Sequence, residues 1–206
     1  MNKKIFVLLL FLMTVSINTF SQKLYVWCQK EQIPSPRNGF LSDEEINLII
    51  FDGRTMTPKS KIECNSETII KNLALTIKQT YKSAKINLLT SDNYYQKPAE
   101  NTITIKIAIS AYQAGFSTNL NVGIGSVGGS FSWGAMPENK WNAATGYSVK
   151  VYDYRNGAKI KKNKEIGKVE SRSNNAGFKT AKNILNTTYV NANQELFFFI
   201  DECLME

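Results

Sequence analysis

The chain reads as α+β: a single mixed β-sheet of about five strands, in the order β-α-β-β-β-β-α, with two main helices packed on it. Three observations predict this. Residues 46–51 are Ile-Asn-Leu-Ile-Ile-Phe, nearly all apolar, as a strand covered on both faces requires. Residues 102–112 alternate, with Ile103, Ile105, Ile107, Ile109 and Ala111 pointing one way and Thr104, Lys106, Ser110 and Tyr112 the other, the mark of a half-buried strand. Near the end, Phe178, Ala181, Leu185, Tyr189, Ala192, Leu196, Phe199 and Cys203 fall on one helical stripe, and such a helix has to cover a sheet.

Taken in order, the chain opens with Lys3 and Lys4 before an apolar run, residues 5–13, and Thr19-Phe20-Ser21 offers a small-residue cleavage site. That pattern predicts a signal peptide over 1–21 and a protein exported to the periplasm or beyond. The run is far short of the roughly 20 residues that cross a bilayer. A lipid anchor is not expected, because the first cysteine, Cys28, follows the bulky Leu24-Tyr25-Val26-Trp27. Residues 22–45, with Pro34, Pro36 and Gly39, read as an extended arm, and residues 46–206 as one domain.

Within the domain, Asp52-Gly53-Arg54 ends the first strand, and Asn65 or Ser66 can cap a helix carrying Ile69, Leu73, Ile77, Tyr81 and Ala84 on one face. Lys71, Lys78, Lys82 and Lys85 occupy another face, and residues 86–89 form a short strand. After the alternating strand, Leu120, Val122, Ile124, Phe131 and Trp133 alternate with small and polar residues about Gly128-Gly129, as a hairpin with one apolar face able to contact a partner or a membrane. Tyr147, Val149 and Val151 begin a further strand. Asn156-Gly157 suits a type I′ turn, and residues 158–170 return as a lysine-rich edge. The last helix closes on Leu196-Phe197-Phe198-Phe199-Ile200, apolar nearly all round, so its end must be buried in the domain, in a dimer or against a membrane.

The composition is 43% hydrophobic and 20% charged, ordinary for a globular domain. Removing Lys3 and Lys4 from the formal charge of +8 leaves +6, a bias toward anionic partners. For an exported protein these are envelope polymers and lipid surfaces, with no nucleic acid at hand. Lys159, Lys161, Lys162 and Lys164 are the candidate contacts. Tyr94, Tyr95, Trp133 and Trp141 are flat enough to stack on sugars, although aromatic residues serve as core in most domains. Of three cysteines, Cys28 and Cys64 are the preferred disulfide, and Cys203 a buried thiol on the last helix.

The chain has no histidine, which removes the commonest general base and metal ligand, and no carboxylates sit at a recognisable catalytic spacing. No enzyme activity, cofactor or metal is expected. Gly123, Gly125 and Gly128 match G-x-G-x-x-G, but no helix follows them, so no dinucleotide site is expected. The expectation is a non-enzymatic envelope protein that binds a protein partner or itself, with an anionic glycan or lipid as the alternative ligand.

Four stretches carry a family resemblance: Ile46-Asn47-Leu48-Ile49-Ile50-Phe51-Asp52, the helix over 69–84, the glycine-rich residues 123–134, and Val149-Lys150-Val151-Tyr152-Asp153-Tyr154-Arg155-Asn156-Gly157. Over residues 46–203 the chain resembles CsgG-like and related bacterial outer-membrane lipoprotein domains. The resemblance implies a mixed sheet flanked by helices and a role as scaffold or accessory factor in secretion or envelope assembly. It supplies no catalytic residue, and the family's lipid-bearing cysteine has no counterpart here.

Overall fold

The computed structural model describes residues 23–28, 35–37, 41, 43–54, 56, 60–116, 123–126, 129–132, 136–157 and 160–204, with backbone alone for 123–126, 129–132 and Asn156. The stretch read as a signal peptide lies outside the described residues, as do Leu120, Val122, Trp133 and Lys159. The fold is α+β. Five strands make the body of one mixed sheet: β2 (Glu45–Asp52), β4 (Lys85–Leu89), β5 (Ile103–Phe116), β8 (Lys140–Asp153) and β9 (Ile160–Ser173). Two short strands, β1 (Leu24–Val26) and β3 (Lys61–Ile62), bring the sheet to seven among the described residues. Thus β1, within the stretch read as an extended arm, pairs with β5 and β3, and Val26, Trp27 and Leu41 are buried.

β5 organises the sheet. One edge pairs along its whole length with β8, which pairs in turn with β9. The other edge meets β2 in parallel over Ile103 to Ile109 and β1 antiparallel at Ala114 and Gly115. β4 lies parallel outside β2, joined to it through α1 (Ser66–Thr80). α1 starts where the sequence places it: the Asn65 side chain accepts from the Thr68 amide at 2.8 Å, capping one of the amides that the first turn leaves open. It ends at Thr80, so Tyr81 is its C-cap and Lys82 and Lys85 leave the helical face expected for them.

α1 and α2 (Phe178–Leu204) cover one face of the sheet. α1 packs on β2, and α2 packs on β5, β8 and β9. The stripe of α2 from Ala181 to Cys203 is buried against Ile105, Ile107, Tyr147, Val149 and Ile166. Its apolar end is covered within the domain as well: Leu196, Phe197, Phe199 and Ile200 are buried, and only Phe198 emerges, at 65% exposure.

Two expectations change. A register shift between Ile109 and Ala111 inserts a β-bulge at Ser110. It turns the later residues over, so Tyr112 and Ala114 join the helix-side core while Ala111 packs on the other face with Leu24, Met136 and Ala144. Gly146 lies opposite, where a Cβ would come within 2.8 Å of Ser110 Oγ. Nor is β5 half-buried: all but its last residue are buried. The second change is at the 156–157 turn, where a 3₁₀ turn spans Arg155–Gly157. The Asp153 carboxylate accepts from the Arg155 backbone amide at 3.1 Å and from its guanidinium, closing an Asx-type turn before Gly157 takes φ +77°.

Residues Gly123–Ser126 (β6) and Gly129–Ser132 (β7) pair antiparallel as a ribbon separate from the main sheet, with Ile124 opposite Phe131.

Candidate functional site

On the face away from the helices, side chains from three places in the sequence meet. The strand register does the work: Thr104, Tyr152 and Lys161 lie side by side across β5, β8 and β9, and Lys106, Lys150 and Asn163 form the next row. A 3₁₀ helix over Ser91–Tyr95 crosses the same face, seated by Tyr94 against Ile49, Phe51 and Ala108, with the Tyr94 and Phe51 rings 5.4 Å apart. Between this wall and the strands is an open cleft of about 720 Å³. That is within the roughly 300–1,000 Å³ range of small-molecule sites.

Four tyrosines and four lysines face it. Tyr94 and Tyr95 meet edge to face at 5.3 Å on one wall, and Tyr152 and Tyr154 do so at 5.9 Å on the other. Lys106 and Lys150 lie at the floor, with Lys97 and Lys161 beside them; Glu100 is the one carboxylate in the lining among the described residues. The lysines sit near ring faces: Lys150 Nζ is 5.7 Å from the Tyr94 centroid, while Lys106 and Lys161 lie 5.7 and 5.9 Å from Tyr152.

Lys106 has a distinct position. Only 3% exposed, it donates to the backbone carbonyls of Asn93 at 3.4 Å, Tyr94 at 2.8 Å and Gln96. All three ammonium donors are thereby used. The contact ties the tyrosine wall to the sheet floor. Burial, together with the charge of Lys150 directly across the strand pair, pulls the Lys106 pKa below its ordinary value. Like charges opposed on adjacent strands are destabilising. On the wall, burial and then the Glu165 carboxylate push the Tyr94 phenol up to about 12, so it stays a neutral hydroxyl.

Of the aromatic residues read as candidates for sugar stacking, Tyr94 and Tyr95 line this cleft, Trp141 is buried at the other end of the sheet, and Trp133 lies outside the described residues. The lysine cluster read from β9 is divided. Lys161 faces the cleft, whereas Lys162 and Lys164 turn to the helix side, where Lys164 and Lys168 pair with Glu195 of α2 at 3.1 and 2.5 Å. A strand's two-residue period forces this split. Cys28 and Cys64 are bonded to each other, with Cα atoms 4.9 Å apart, and Cys203 is buried. Among the described residues no group of three or more cysteine, aspartate or glutamate side chains could hold a metal ion, and no helix is long and apolar enough to cross a membrane.

No protein-family model matches the chain, and no curated protein matches it in sequence. The kinship with CsgG-like domains read from residues 46–203 is therefore not shown. Solved structures with a similar arrangement include the hypothetical protein CT253 from Chlamydia trachomatis, at 7% identity and a TM-score of 0.47 over 79% of this chain and 99% of that one. Protein XCC0632 from Xanthomonas campestris, of family model DUF330, is 8% identical with a TM-score of 0.44 over 83% and 91% of the two chains. Lipoprotein GNA1162 from Neisseria meningitidis is 10% identical with a TM-score of 0.38 over 74% and 99%. At these values the likeness is one of general arrangement, and no function passes across it.

Proposed function

We propose that this chain is an exported binding protein without catalytic activity, and that the tyrosine and lysine cleft takes an anionic glycan. The observation that carries this reading is the floor: Lys106 and Lys150 oppose one another across neighbouring strands, between two pairs of tyrosines. Lys106 is committed to backbone carbonyls, so Lys150, with Lys97 and Lys161, supplies the donors for acidic groups. Tyr94 is buried and seats the wall, whereas the exposed Tyr95 and the half-buried Tyr152 and Tyr154 offer faces suited to the apolar faces of sugar rings and hydroxyls suited to sugar hydroxyls. Bound carboxylates or sulfates would relieve the repulsion that the floor carries.

Titration calorimetry with acidic and neutral oligosaccharides of equal length tests this. The acidic ligand should bind at least about tenfold tighter, lose affinity as salt rises, and be weakened by Lys150→Met and Tyr152→Ala. Equal affinity for the neutral ligand, or an unchanged Lys150→Met, would defeat the proposal.

A second reading, a scaffold for a protein partner or for further copies of the chain, is favoured by the Gly123–Ser132 ribbon, which pairs outside the main sheet. Light scattering across a concentration series checks it. A strict monomer that captures no partner would count against a scaffold.

A further inference from the structure

At the opposite end of β5 and on the helix side, five aromatic rings gather where α2 begins. Phe178 packs on Tyr25 at 5.1 Å and on Trp141 at 5.7 Å, Tyr25 stacks on Trp27 at 5.3 Å, and Phe116 meets Trp141 edge to face at 5.3 Å. The tryptophans are buried beneath, but Phe178 is 51% exposed and Phe116 40%. This apolar surface is ringed by cations. Lys23 lies 5.6 Å over the Tyr25 ring, Lys182 lies 5.3 Å over Trp27, Lys61 is the cross-strand neighbour of Tyr25, and Lys179 follows Phe178. Two acidic residues reach the rim among the described residues: Glu63 lies 3.7 Å from Lys182, and Glu170 pairs at 2.5 Å with Arg172, the cross-strand neighbour of Trp141.

We infer that this patch seats the protein on an anionic phospholipid surface. The chemistry selects that occupant. Half-exposed aromatic rings above buried tryptophans match the boundary between headgroups and acyl chains, where amphipathic rings collect. Lysines around the rim bring long apolar stems and ammonium tips to headgroup level, and each adds attraction to an anionic leaflet. The patch is separate from the cleft: Thr104 and Phe116 stand roughly 40 Å apart along β5, at about 3.3 Å per residue, and on opposite faces of the sheet.

Co-sedimentation of the exported protein, residues 22–206, with vesicles tests the assignment, comparing phosphatidylcholine mixed with phosphatidylglycerol against phosphatidylcholine alone. The protein should bind the mixed vesicles at least about tenfold tighter. Phe178→Ser should weaken that binding several-fold, and the double charge reversal Lys61→Glu with Lys179→Glu should weaken it about tenfold or more. Both sets of changes fall on exposed positions, and unchanged thermal midpoints will show that the variants fold. The cleft variants Lys150→Met and Tyr152→Ala should bind vesicles as the parent does. Equal binding to both vesicles, no binding, a loss that follows the cleft variants, or self-association through Phe178 without vesicle binding would each overturn the proposal.

Discussion

The two floor lysines make opposite predictions although they are neighbours. Lys106 satisfies three backbone carbonyls, so Lys106→Met should leave those acceptors without their donor and lower stability by about 1–3 kcal/mol in chemical denaturation. Lys150 has no such duty, and Lys150→Met removes a like charge from across the strand pair; stability should hold or rise by a few tenths of a kcal/mol while acidic-ligand binding falls. A variant pair behaving alike would show that Lys106 is not holding the wall. Neither role is visible in the linear order. Position 106 reads there as one solvent-side residue of an alternating strand, because periodicity reports which face a side chain takes and not what covers that face. The aromatic half of the site was partly legible, since Tyr94 and Tyr95 stand out as flat residues outside the strands. Lys161 reads as an anionic contact from the lysine-rich return strand, but its meeting with Lys150 and Tyr152 was not legible, because register between strands is what joins them.

Among the elements, those with one long-range demand were the most legible. α2 buries its apolar stripe from Ala181 to Cys203 and leaves only the first member, Phe178, half-exposed, and β2 is apolar because both its faces are covered. β5 hides more. Its bulge leaves no mark in the composition of residues 108 to 112, and it is supported from the adjacent strand by Gly146. Gly146→Ala would place a methyl against Ser110 Oγ, so we expect a loss of about 1–3 kcal/mol. Part of that loss should return in the double variant with Ser110→Gly, since the two positions are in contact and their effects will not add. Full additivity in a double-mutant cycle would show that the bulge is not what the glycine accommodates. The short strands β1 and β3 were missed for a different reason: strands of three and two residues have too few positions to display a period.

For the molecule as a whole, three carboxylates held by cationic partners set its behaviour in acid. At Asp52, burial alone would raise the pKa, but hydrogen bonds and charge from Arg54, with Ser66, outweigh it and hold the value below the ordinary 3.8. Asp153 is lowered mainly by its hydrogen bonds to Arg155, which also reaches Glu44 at 2.6 Å, and Glu195 is lowered from 4.5 because Lys168 and Lys164 overcome its burial. Folded-state values below unfolded ones mean that these groups stabilise the fold above the ordinary carboxylate range. That contribution is lost as pH falls from about 4.5 through the lowered values. Denaturation midpoints followed from neutral pH down to about 3 should therefore drop across this window, and Asp153→Asn should flatten the slope. An unchanged slope would assign the acid sensitivity elsewhere.

β5 crosses the domain from the tyrosine wall to the aromatic patch as one strand, flanked along its length by β8 with a single bulge at Ser110. A pull exerted between those two extremities runs along the strand axis, so the rungs joining β5 to β8 share the load in shear instead of peeling apart one after another. Such a layout gives a small domain the mechanics of a strut between the cleft at one tip and the aromatic patch at the other.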